Sequence, residues 1–176
     1  MKKKIIFFDG DGTLWYPKKT KFTQPPWWIY KEHKEFHQHK KHLMIIPHVI
    51  STLKKLRAKG IITIILSTHP HPPKESAIEI NNKVTHFKIE KLFDEVHATR
   101  PYLKSKGEFI IKILKRRNIP KSKALMIGDS YEWDYSPAKK AGIDALLIES
   151  PYMNTHPAAN RIKKTIKKIS DILKYV

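Results

Sequence analysis

The sequence predicts an α/β protein: a three-layer, doubly wound and mostly parallel sheet carrying a minimal insertion. Three observations lead there. Short apolar runs at 5–8, 61–66, 124–127 and 145–148 alternate with segments of helical period. Three of these runs stop abruptly at polar residues, namely Asp9, Ser67 and, after Gly128, Asp129. Strands that alternate with helices imply parallel crossovers, which gather the strands' carboxyl ends at one edge, where open α/β sheets bind ligands.

Taken in order, the first run (Ile5, Ile6, Phe7, Phe8) suits a strand buried on both faces, followed by Asp9-Gly-Asp-Gly12. The two glycines permit a sharp turn and close approach to a ligand. A calcium loop is excluded, since its sixth and twelfth positions would be Leu14 and Thr20 rather than Gly and Glu. Residues 15–44 read as an insertion rich in Lys, Pro, Trp and His, with no sustained period. Pro47 opens a helix with apolar Val49, Ile50, Leu53 and Leu56, closed by Gly60. The strand at 61–66 ends in Ser67-Thr68, and His69-Pro-His-Pro-Pro73 is too proline-rich to be helical. A helix near 74–83, a weaker segment at 89–94 and a short strand at 95–98 follow. Phe109, Ile110, Ile113 and Leu114 predict a helix over 106–117, and residues 137–142 a shorter one between the last two strands. At the end, Ile162, Ile166, Ile169, Leu173 and Val176 form one apolar stripe, predicting a basic amphipathic helix over about 160–176 that covers the core.

A length of 176 residues suits a single domain, 1–176, with a full core. The chain has no cysteine, which excludes disulfides, thiolate metal sites and cysteine nucleophiles. No run approaches a membrane span and residues 2–4 precede too few apolar residues for a signal peptide, so a soluble, cytoplasmic protein without a membrane partner is expected. The net charge of +19 arises from 35 Lys and Arg against 16 Asp and Glu. It favours phosphorylated substrates and polyanions through the summed field. The lysines are scattered over helical faces, however, so nucleic acid is the less favoured partner. His33, His37, His39 and His42 lack acidic companions and read as solvated.

Together the strand ends supply Asp9 with Asp11, Ser67 with Thr68, a lysine at 106, and Asp129 with Asp134. A carboxylate nucleophile repels a phosphate ester unless a cation and hydrogen-bond donors absorb the phosphoryl charge. Asp9 and Asp129 offer hard oxygen ligands suited to Mg²⁺, and Lys106 and Ser67 supply charge and donors. These residues, read as Asp-Gly-Asp-Gly-Thr-Leu, the Ser after Ile-Ile-Leu, Lys106 and Gly-Asp-Ser-Tyr-Glu-Trp-Asp, resemble the four motifs of the haloacid dehalogenase-like superfamily. The stretch Asp-Gly-Thr-Leu-Trp-Tyr-Pro with Pro25-Pro26, and Ser105-Lys106 at a helix start, look like its magnesium-dependent phosphatases. The sequence departs from them at Thr68, where they carry Arg, and at Gly128-Asp129, where they carry paired aspartates.

That resemblance implies a Mg²⁺-dependent phosphomonoesterase. Asp9 would form an aspartyl phosphate, Asp11 would act as acid and then base, and Mg²⁺ would be held by Asp9, Asp129 and the backbone carbonyl of Asp11. Ser67, Thr68 and Lys106 would bind the substrate phosphate, with Asp134 supporting. Lys104 competes with Lys106 on spacing. A polyanion-binding protein, including a polynucleotide 3′-phosphatase, is the alternative. The short segments between motifs leave no room for a large lid, and Trp15, Tyr16, Trp27 and Trp28 are candidates for a small flap.

Overall fold

A computed structural model describes residues 2–32, 38–69, 71–99, 105–152, 156–162 and 164–176, apart from the side chains of Lys31 and Pro73. Six strands, β1 (Ile5–Phe8), β4 (Ile62–Thr68), β5 (Glu95–Thr99), β6 (Ala124–Gly128), β7 (Asp144–Ile148) and β8 (Thr165–Ile166), form one sheet in the order β5-β4-β1-β6-β7-β8. Every pairing is parallel. The first apolar run is therefore the centre of the sheet, and its four side chains are fully buried.

Successive side chains of a strand point to opposite faces, and β1 divides accordingly. Ile6 and Phe8 pack with Leu53 and Leu56 of α2 (Val49–Ala58) and Ile80 and Val84 of α3 (Pro73–His86). Ile5 and Phe7 pack with Ile110, Ile113 and Leu114 of α4 (Lys106–Arg116) and Ala138 of α5 (Ser136–Lys140). Three layers result, as the alternating pattern predicts.

Pairing also fixes the level of each strand end. Phe8 lies opposite both Ile65 and Ile127, and the Asp9 amide donates to the Ile127 carbonyl at 2.9 Å. Asp9, Ser67 and Asp129 thus reach one edge together. Leu14 precedes β2 (Trp15–Pro17), which pairs antiparallel with β3 (Leu43–Ile45) and closes the insertion into a ribbon. The insertion also carries a 3₁₀ turn at Pro26–Trp28 and the short α1 (Ile29–Glu32).

The tail corrects the expected C-terminal helix over 160–176. Thr165–Ile166 adds β8 to the sheet edge, Lys168 is extended, and Ile169–Tyr175 is a 3₁₀ helix. Within the 3₁₀ helix the buried Ile169 and Ile172 stand three positions apart, the 3₁₀ repeat, and together with Ile166 of β8 and Val176 they cover the core face that holds α2. Among the described residues no helix is long and apolar enough to cross a membrane.

Candidate active site

The sheet edge holds a cleft of about 660 Å³ lined by Asp9, Asp11, Lys106, Asp129 and Asp134, with Thr68 at its rim. Asp9, Asp129 and Asp134 offer carboxylate oxygens that all lie within 4.8 Å of one another, and all three residues are buried. Asp129 follows β6 directly, whereas Asp134 is carried back beneath it by a π-helical turn at Tyr131–Tyr135, a rare turn concentrated at functional sites. The Asp134 carboxylate accepts from the Ser130 amide at 3.0 Å. This fold-back requires Gly128, since a Cβ there would stand 2.1 Å from Asp134 Oδ2.

Lys106 is the first residue of α4, anchored by a capping box in which Ser105 Oγ accepts from the Glu108 amide at 3.3 Å and Glu108 returns the bond at 2.9 Å. Its ammonium donates to Asp9 and to Asp134, each at 2.5 Å. Lys104 lies outside the described residues. Ser67 is buried at the end of β4, beneath Gly10, while the Thr68 hydroxyl is 3.1 Å from that of Thr99.

The electrostatics reflect three crowded carboxylates sharing one ammonium. Burial pushes the Asp9 carboxyl up to about 7, with Asp134 and Asp11 adding to the rise and Lys106 opposing it. Asp129 is held well above the usual carboxylate range by burial and by Asp9 and Asp134. The same two partners, Asp134 and Asp9, raise Lys106 against its own burial. A hard divalent cation fits this donor set, because it supplies the missing positive charge to oxygens that are already converged.

The carboxylate of Asp11 turns elsewhere. Trp15 Nε1 donates to Oδ1 at 2.6 Å, the Tyr30 hydroxyl donates to Oδ2, and Lys83 Nζ lies 3.4 Å from Oδ1. Burial works to raise Asp11, but Lys83 and the hydrogen bond from Tyr30 outweigh it and hold it below its ordinary value. Burial and the neighbouring Asp11 keep Tyr30 a phenol.

Several of these partners escape sequence reasoning. Lys83 reads as one more solvated lysine, yet it is buried; so is His39, whose Nδ1 is 2.8 Å from Glu79 Oε1, against the expectation of a solvated histidine. Glu79 and Lys83 stand four residues apart on α3, a spacing that puts two polar groups on its buried face; this was the available signal. Tyr152, whose hydroxyl donates to Asp129 Oδ2 at 2.9 Å, carries no such signal. Of the aromatic flap candidates, Trp15 and Tyr16 are core residues, Trp15 stacking on Phe87 at 5.9 Å. Trp28 is partly buried, and Trp27 is exposed and lines the cleft. His33 and His37 lie outside the described residues.

Solved structures share this arrangement of layers. A haloacid dehalogenase-like family hydrolase from Streptococcus pneumoniae superposes with a TM-score of 0.73 at 18% identity, covering 98% of each chain. A predicted phosphoglycolate phosphatase from Haemophilus somnus gives 0.72 at 21% identity, covering 99% of this chain and 98% of that one. A predicted phosphatase from Clostridium acetobutylicum gives 0.71 at 18%, covering 99% and 98%. No curated protein matches. At these identities the likeness is one of fold. The haloacid dehalogenase-like hydrolase family itself matches over residues 13–148, from just past the first aspartates to the end of β7. That span holds the crossover to Ser67 and the return to Asp129, and with it the chain belongs to the haloacid dehalogenase-like hydrolase family.

Proposed function

We propose that the protein is a Mg²⁺-dependent phosphomonoesterase working through an aspartyl phosphate on Asp9. The observation that carries this reading is the convergence of Asp9, Asp129 and Asp134 within 4.8 Å beside the Lys106 ammonium. The phosphatases among the structural neighbours support it. Mg²⁺, held by Asp9, Asp129 and the Asp11 backbone carbonyl, would supply positive charge to the phosphoryl oxygens.

An oxygen of Asp9 attacks phosphorus as the ester P–O bond breaks, and Asp11, an ionised carboxylate in the free site, takes up a proton as the substrate binds and gives it to the departing oxygen. In the second step Asp11 takes a proton from water. The resulting hydroxide attacks the same phosphorus, the bond to Asp9 breaks, and inorganic phosphate leaves. Lys106 neutralises Asp9 before attack and the phosphoryl oxygens during it, while Ser67 and Thr68 belong to the phosphate end of the site. Asp134 keeps Lys106 in place.

The cleft also narrows the substrate. Among its described lining residues Lys106 is the sole lysine or arginine, against Asp9, Asp11, Asp129, Asp134 and Glu132. Despite the +19 charge of the chain, the cleft suits one phosphate on a remainder without further negative charge. Exposed Trp27 and Trp133 suit an apolar or aromatic remainder. This favours a small phosphate monoester over the polynucleotide alternative.

The deciding experiment is phosphate release by the purified protein with and without Mg²⁺, across aryl, sugar and nucleotide monophosphates and a 3′-phosphorylated oligonucleotide. Asp9→Asn is expected to abolish turnover. Full activity of that variant would sink the mechanism, and preference for the oligonucleotide would overturn the substrate reading.

A further inference from the structure

Lys83 is the charged group that the reaction above leaves unexplained. It sits in the last turn of α3 and is 1% exposed, although burying an ammonium is costly unless its partners compensate. Its partners lead in one direction. Lys83 Nζ donates to the Tyr30 hydroxyl, which in turn donates to Asp11 Oδ2, and Nζ stands 3.4 Å from Asp11 Oδ1. The same ammonium lies 4.7 Å from the centre of the Tyr30 ring and 5.8 Å from that of Trp15, the ring whose Nε1 donates to Asp11 at 2.6 Å.

Three elements therefore meet on one carboxylate: β2 through Trp15, α1 through Tyr30 and α3 through Lys83. Two belong to the insertion and the third to the core layer. One turn before Lys83, Glu79 holds His39 at 2.8 Å, tying the far end of the insertion to the same helix. Tyr30 has one hydroxyl proton, and receiving from Lys83 directs that proton toward Asp11. A hydrophobic residue at 83 would pack in the same place without orienting anything.

We propose that Lys83 and Tyr30 are positioning residues for Asp11, setting the orientation in which it meets the leaving group and making that orientation depend on the seated insertion. The proposal rests on the phosphomonoesterase reading.

The test uses kcat/KM, which reports events up to departure of the leaving group and is blind to the later hydrolysis of the enzyme intermediate. Wild type, Lys83→Met, Lys83→Arg and Tyr30→Phe are compared on p-nitrophenyl phosphate, whose leaving group needs little protonation, and on ethyl phosphate, whose leaving group needs it fully. For Lys83→Met and Tyr30→Phe the loss on ethyl phosphate is expected to exceed that on p-nitrophenyl phosphate by about tenfold or more, the low end of what acid catalysis supplies. Lys83→Arg, which keeps charge and donors, is expected to recover part of the difference. Equal losses on both esters, none on either, or a gain on ethyl phosphate, which would mean that the pair only keeps Asp11 ionised, would overturn the positioning role and leave the phosphatase reading intact. A wild type inactive on both esters would overturn the two together. Tyr30→Phe removes only an oxygen, so the ratio remains measurable if Lys83→Met folds poorly.

Discussion

Lys106 and Asp134 are joined at 2.5 Å with both residues buried, and the same ammonium reaches Asp9 at the same distance. Asp134 thus fixes a lysine that faces the proposed nucleophile. Lys106→Met removes charge that attack on a phosphate dianion requires, and kcat/KM is expected to fall by about a hundredfold or more. Asp134→Asn keeps the lysine but frees it, so a smaller loss is expected, with KM rising more than kcat falls. Steady-state kinetics on one aryl phosphate separates the two variants.

The proton balance at Asp9 sets how Mg²⁺ binding should follow pH. Its carboxyl is raised to about 7 by burial, so without a cation it holds a proton below neutrality. A metal ligand must be deprotonated, so binding releases that proton. Mg²⁺ affinity is expected to weaken as pH falls from 8 to 6, and titration calorimetry at pH 6.5 in buffers of different ionisation enthalpy should detect proton release. Stability follows the same sign. A carboxyl raised in the folded state stabilises fully below its unfolded value of 3.8, and that contribution is lost as pH rises through about 7. The metal-free protein should therefore lose thermal stability between pH 5 and 8, and added Mg²⁺ should raise Tm more at pH 8 than at pH 6. A pH-independent affinity would show that binding displaces no proton from Asp9 or Asp129.

What could be read in the chain before its structure divides along physical lines. Strands buried on both faces leave uninterrupted apolar runs, so β1, β4, β6 and β7, and with them the edge holding Asp9, Ser67 and Asp129, were legible. Asp134 was legible as a residue that steadies the lysine or the metal shell, through the family resemblance; the π-helical turn that carries it back to Lys106 was not, because such a turn leaves no periodic trace. Lys83 and His39 were obscured by composition: in a chain so rich in lysine and histidine, a buried one is indistinguishable until its partner is seen. The tail failed for another reason. Ile162, Ile166, Ile169, Leu173 and Val176 follow a helical stripe, but Ile166 pairs at the sheet edge and a short 3₁₀ helix starts only at Ile169, which is recognised once packed.

Gly12 tests the geometry of the metal end independently of charge. Its φ is +78°, and a Cβ there would stand 2.1 Å from Asp129 Oδ2 and 2.9 Å from the Tyr152 hydroxyl. Gly12→Ala is expected to cost about 1–2 kcal/mol from the left-handed backbone alone. It should also push Asp129 out of the cluster, weakening Mg²⁺ binding well beyond the effect on Tm. Thermal denaturation and Mg²⁺ titration of this variant separate the two effects, and a loss of stability with unchanged Mg²⁺ affinity would remove Asp129 from the ligand set.

Trp27 and Trp133 bear on the substrate. They reach the cleft from different segments, one from the 3₁₀ turn of the insertion and one from the π-helical turn after β6, and they are 54% and 39% exposed. Large apolar side chains left open beside a catalytic edge offer contact to whatever the phosphate is attached to. Benzyl and ethyl phosphate have leaving groups of similar basicity, so their ratio of kcat/KM isolates recognition of the remainder from chemistry. Wild type is expected to prefer benzyl phosphate. Trp27→Ala and Trp133→Ala should each erase part of that preference, by roughly tenfold if a ring contact worth about 1–1.5 kcal/mol is lost, with ethyl phosphate little changed. A ratio near one in the wild type would mean that the two tryptophans serve packing or another partner, and that the cleft reads only the phosphate.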